Sequence, residues 1–131
     1  MSVETIRAGI ATALTGLGMR PAHEAETPNV TGSALAAMVE IGPVVPASFG
    51  DTAMDMTFRI IVLAGRASDR SARIKLDTSV DPTGNTLWAA LNGTLGGTVD
   101  FCTVSASSEY REFTVGDAPY LGCEFTVAVG T

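Results

Sequence analysis

The chain has 131 residues, of which 46% are hydrophobic and only 17% charged, with a net charge of −6. That length holds one domain of ordinary size and buries enough surface to fold without metal or disulfide staples, and the apolar share excludes a disordered chain. The acidic balance argues against a nucleic-acid footprint over the whole chain, and a mean hydropathy of +0.28 leaves apolar surface over for a partner.

Residues 2–17 predict an amphipathic helix, because Val3, Ile6, Ile10, Ala13, Leu14 and Leu17 recur at helical spacing. Ser2 serves as N-cap, Glu4 sits where the helix dipole favours it, and Gly16 and Gly18 supply the stop. Residues 18–33, with Pro21, Pro28, Asn29 and Gly32, read as a loop with a short extended piece. Ala36–Ile41 reads as a strand: its alanines favour helix, but the following Gly42-Pro43-Val44-Val45-Pro46 favours extended chain. Pro43–Gly50 then reads as a loop.

Residues 52–64 carry the clearest strand signal. Met54, Met56, Phe58, Ile60 and Val62 alternate with Asp55, Thr57 and Arg59. At Ile61 and Leu63 the second face turns apolar as well, so this end is buried twice, or once in the domain and once against a neighbour. Residues 67–79 read as a helix with Ser68 as N-cap, a polar face of Arg70, Arg73 and Lys75, and a thin apolar side of Ala72, Ile74 and Leu76. Asp81–Gly84 is a turn by composition, and Asn85–Leu91 a second short helix. Thr98–Ala106, Tyr110–Val115 and Tyr120–Val129 read as strands, with a hairpin turn at Gly116-Asp117. The order helix, strands, helices, strands predicts a single α+β domain over residues 1–131: a mostly antiparallel sheet with helices packed on one face. The matching apolar faces place Ile6, Ile10, Leu14, Phe58, Ile60, Phe125 and Val127 in its core.

Groups that carry chemistry are sparse. His23 is the only histidine, so any catalytic dyad or triad has to use it. It lies in a proline-rich stretch without a nucleophile elbow, and a solvated loop histidine accounts for it. His23, Glu24 and Glu26 make a weak metal set, one imidazole with two loop carboxylates. Gly93-Thr-Leu-Gly-Gly97 matches neither phosphate-binding glycine pattern and precedes a strand; a sharp turn suffices. Cys102 and Cys123 are too few for a disulfide scaffold or a zinc site and read as small buried thiols, a disulfide between paired strands being the minor reading. No acid–base couple stands out, so no enzyme activity, cofactor or metal is expected. The start has an acid and no apolar run, and no stretch is long enough to span a membrane; a soluble protein made in the cytosol is expected.

Charge is divided along the chain. Arg59, Arg66, Arg70, Arg73 and Lys75 form a basic middle, and Asp100, Glu109, Glu112, Asp117 and Glu124 an acidic C-terminal third. A solvated helix face explains such a cluster. The alternative is a contact surface of Ile61, Leu63, Arg66, Arg70, Arg73 and Lys75, met by the acidic third of an adjoining copy.

Three stretches together resemble the tail terminator proteins of long-tailed bacteriophages. They are Ser2-Val-Glu-Thr-Ile-Arg-Ala-Gly-Ile-Ala; Met56-Thr-Phe-Arg-Ile-Ile-Val-Leu-Ala-Gly-Arg-Ala-Ser-Asp-Arg70; and Leu95-Gly-Gly-Thr-Val-Asp100 followed by Tyr110 and Tyr120-Leu-Gly-Cys-Glu-Phe-Thr-Val127. Arg20–Phe49 adds nothing to the match. The resemblance implies a structural virion protein at the tail–neck junction. It implies a hexameric ring that caps the finished tail tube, ends its polymerisation and docks it to the head–tail connector or stopper protein. DNA would pass through the ring without specific binding, for which an acidic protein is suited. Other readings are a head-closure stopper, a tail tube subunit, or a small α+β ligand-binding domain or hydrolase.

Overall fold

The structure, a computed structural model, describes residues 3–23, 35–46, 54–66, 70–80, 87–93, 99, 101–115 and 118–130. Helix α1 (Val3–Gly16) forms where the apolar spacing places it, and its buried stripe is Ile6, Ile10 and Leu14. It stops in a Schellman motif: Met19 N–H donates to the Leu14 carbonyl at 3.1 Å and Gly18 N–H to that of Thr15 at 2.9 Å. Gly18 has φ +80°, a left-handed conformation that a side chain disfavours.

The chain then enters β1 (Arg20–His23), which pairs parallel to β2 (Ala36–Pro46). The sequence showed only a short extended piece in this loop. Four residues carry no readable period, and the partner strand lies beyond an intervening segment. Strand β2 is longer than the expected Ala36–Ile41. A register shift between Ile41 and Val44 absorbs Gly42 and Pro43, and pairing resumes at Val44↔Met56, so Pro43–Pro46 belongs to a strand rather than a loop. Strand β3 (Met54–Arg66) is antiparallel to β2 and to β6 (Ala118–Gly130).

Helix α2 (Arg70–Val80) and the short α3 (Leu87–Ala90) follow, and the sheet is completed by β4 (Phe101–Ser107) and β5 (Arg111–Val115). Ser68, Asp81–Gly84 and Gly116-Asp117 lie outside the described residues. The strand order is β1-β2-β3-β6-β4, and β5 also pairs with β6. Both β4 and β5 run antiparallel to β6 along the same edge, β4 beside residues 125–130 and β5 beside residues 118–122. They are one edge line, interrupted by a shift between Val104 and Ala106 and by the break at Ser108–Tyr110. The fold is α+β, as the element order predicts; the sheet is mixed because β1 and β2 are parallel.

One face of the sheet carries the main core. Phe58, Ile60, Phe125 and Val127 are fully buried there under α1, α2 and α3. Trp88 of α3 meets Phe125 edge-on, with centroids 5.8 Å apart and planes at 78°. Burying a large side chain completely contributes about 1.5–3 kcal/mol, so this layer dominates the stability of the fold.

Candidate subunit interface

The residues singled out for a contact surface separate into two groups. Ile61 and Leu63 lie on the face of the sheet away from the main core. They are 8% and 0% exposed, in a second cluster with Ala36, lined by Met38, Phe113 and Tyr120. Of the two alternatives for this strand end, burial on both faces within the chain is the one observed, so Ile61 and Leu63 are not left for a neighbour: β5 and β6 cover them. Gly122 makes this possible. A Cβ there would lie 2.5 Å from the Val62 carbonyl oxygen, 2.9 Å from Leu63 Cδ2 and 3.0 Å from Phe113 Cδ2. A missing side chain thus lets Leu63 and Phe113 close over the strand between them.

The remaining candidates are on or near α2. Arg70 and Arg73 are exposed and Lys75 half-buried. Arg66 ends β3 opposite Tyr120, and its side chain lies outside the described part. Among the described side chains of α2, Ala72 and Leu76 are the ones buried in the core. Ile74, which the sequence suggested for the apolar side, is 55% exposed and points away from the core between the basic residues. An exposed isoleucine among cations has the polarity of an apolar contact inside a charged rim, though a single one is also ordinary on a monomer's surface.

Of the acidic third, Asp100 and Asp117 lie outside the described residues, and the stretch that carries Glu109 and Glu112 is joined to α2. Tyr110 Oη donates to Asp77 Oδ1 at 2.6 Å, which ties the entry of β5 to α2 of the same chain. Burial, then the Asp77 carboxylate, holds the Tyr110 phenol well above its ordinary range, so it is a permanent donor at neutral pH. Glu124 is already occupied: Arg111 Nη2 donates to its Oε2 at 3.2 Å, and the same guanidinium lies 5.3 Å from the Phe113 ring centre. On the same open face Arg59 pairs with Glu40 at 3.0 Å. Such surface pairs contribute about 0–1 kcal/mol each and mainly set which charges remain available. Glu109 and Glu112 remain exposed, beside Tyr110. Sequence reasoning missed the Tyr110–Asp77 link, since nothing in either residue's neighbourhood announces a partner 33 positions away.

His23 closes β1; its side chain, and all of Glu24 and Glu26, lie outside the described residues. Among the described residues no group of three His, Cys, Asp or Glu is arranged to hold a metal ion, and no helix is long and apolar enough to cross a membrane. Cys102 and Cys123 are free and buried, not paired, and burial pushes their thiols up to about 11 and about 12. Thiols so rarely ionised are poor nucleophiles and poor ligands.

No family model matches the chain. No curated protein matches it. A solved structure whose name states no function is similar in fold, with a TM-score of 0.56 at 14% identity, over 98% of this chain and 96% of that one. At that identity the likeness shows the fold alone.

Proposed function

We propose that the protein is a structural component of a long-tailed phage: a tail terminator that forms a ring, caps the completed tail tube, ends its polymerisation and joins the tail to the neck proteins. The reading starts from the three sequence stretches that resemble that family. The observation that carries it furthest is the outward face of α2, where Ile74, 55% exposed, stands between Arg73 and Lys75 in the chain and one turn after Arg70. A small α+β protein with an apolar centre inside a charged rim is suited to assembly. It needs no cofactor for that task, and its role is not catalytic. The net charge of −6 keeps DNA from sticking as it passes the ring.

The test is removal of the gene from a lysogen, with electron microscopy of the lysate. Without the protein, tails should grow past normal length and fail to join heads, and a plasmid copy should restore both. Tails of normal length on filled heads in its absence would overturn the assignment. Imaging of the purified protein separates the nearest alternative: a tube subunit polymerises into tubes, a terminator into isolated rings.

A further inference from the structure

The edges of the sheet are finished differently. Along the first half of β4 outer backbone groups are taken. Gly93 N–H donates to the Cys102 carbonyl at 2.8 Å, Cys102 N–H to that of Gly93 at 2.7 Å, and Val104 N–H to Asn92 Oδ1 at 3.0 Å. An edge sealed in this way does not add a strand. β5 is finished otherwise. Ser108 N–H donates to the Glu124 carbonyl at 2.7 Å, so the even-numbered residues of β6 turn their backbone groups toward the β4–β5 line. With Arg111 opposite Gly122, Phe113 opposite Tyr120 and Val115 opposite Ala118, the inward groups of β5 are those of Arg111, Phe113 and Val115. Glu112 and Thr114 therefore point their N–H and C=O outward, and among the described residues nothing bonds to them.

At the opposite end of the sheet, Arg20 N–H donates to the Leu35 carbonyl at 2.8 Å, with Arg20 paired to Ala36. Alternation then aims the backbone groups of Pro21 and His23 outward. A proline is tolerated on an edge strand when its missing N–H faces away from the sheet, and Pro21 is so placed.

We propose that β5 of one copy pairs antiparallel with β1 of the next, so that the sheet continues from subunit to subunit. Strand direction fits. β1 runs with β2, β2 against β3, β3 against β6 and β6 against β5, so β5 and the next copy's β1 meet antiparallel when the sheet is repeated head to tail. The strands are of matching length, five residues and four. With Glu112 opposite His23, those two residues exchange backbone hydrogen bonds, and Thr114 N–H donates to the Pro21 carbonyl. The faces agree as well: Phe113 then meets Ala22, which pairs with Met38, on the side of the sheet that carries Ala36 and Leu63. Helices α1 and α2 pack on the same face, so the continued sheet sets α1 of the next copy on the same side of the sheet as α2. Two different patches meet at each contact, which is the heterologous type that closes rings. The pairing rests on the ring reading only for closure.

Two variants of the full chain test it. Thr114→Pro removes an outward N–H that the fold does not use, so circular dichroism and melting should match the wild type. The concentration for half-assembly in sedimentation velocity should rise by about tenfold or more. Glu112→Cys with His23→Cys in one chain should give a reducible ladder of linked copies under copper phenanthroline, because facing residues of a hydrogen-bonded antiparallel pair are about 5.5 Å apart at Cα, within disulfide reach. The buried Cys102 and Cys123 supply no background. A ladder ending in a closed species supports both the pairing and the ring; an open-ended ladder supports the pairing and counts against the ring. If the cysteine variant stays uncrosslinked while folded, or folded Thr114→Pro assembles as readily as wild type, the edge pairing is wrong and the ring must use another surface.

Discussion

Gly122 illustrates how much one absent side chain decides. It sits between Leu63 and Phe113 on the open face of the sheet, and the space a Cβ would need is held partly by the Val62 carbonyl oxygen. Backbone does not yield as a flexible side chain does. Gly122→Ala should therefore destabilise the fold by about 1–3 kcal/mol, as overpacking does, despite the usual gain on replacing a strand glycine. Urea unfolding measures this, and an unchanged midpoint would show that β5 is not seated over Leu63. The two thiols make a prediction of a different kind. Burial raises both in the folded chain, from an ordinary 9.0 to about 11 for Cys102 and about 12 for Cys123. Above pH 9 the unfolded chain sheds these protons while the folded chain retains them, so stability falls as pH rises from about 9 toward 12. Below that range the thiols contribute no slope. Replacing both with alanine should flatten the alkaline limb of the urea midpoint, measured between about pH 8 and 11, even if the plateau is lower.

At the scale of elements, the long periodic segments were legible and the short or non-local ones were not. The stripe of α1 and the alternation of β3 and β6 report burial directly, because one face meets the core and the other does not. Residues such as Phe58 and Phe125 could thus be placed in the core from spacing alone. The signal failed where a partner distant in sequence decides the outcome. β1 becomes a strand only because β2 lies beside it, and β2 continues through Gly42-Pro43 only because a bulge removes their demand on the ladder. Ile61 and Leu63 were rightly read as apolar on the second face, but what covers them was not legible: the turn expected at Gly116-Asp117 agrees with Phe113 opposite Tyr120, while the pairing of β6 with β3 that brings both to this face is non-local. Ile74 misled for the opposite reason. An isoleucine next to Leu76 on a short helix looks like core, yet the short side chain of Ala72 and Leu76 already fill the contact with β3 and β6.

For the whole molecule, the proposed assembly would use surfaces left uncovered among the described residues, here the basic side of α2 with Ile74 and the unsealed edge of β5 that Tyr110 ties to it. Rim charges steer association and orient it, while apolar contacts and strand pairing hold it. The double variant Arg70→Glu with Arg73→Glu tests that division of labour. Both side chains are exposed, so the folded monomer should lose no more than about 1 kcal/mol. Part of that loss comes from Arg73→Glu, which sets a like charge one helical turn before Asp77 on the same face. Assembly should suffer more than folding if this helix lies at the proposed contact, since two cations there become anions. Wild-type assembly should also weaken modestly between about 0.05 and 0.5 M salt, and the sign of that dependence should reverse in the double variant, where salt screens a repulsion. Counting tails in lysates complemented with the variant gives the decisive reading. Overlong or headless tails beside a normally folded monomer place this helix at the subunit contact. Tails of normal length, joined to heads as efficiently as wild type, make it an ordinary solvated face and leave the strand edge to carry the ring alone.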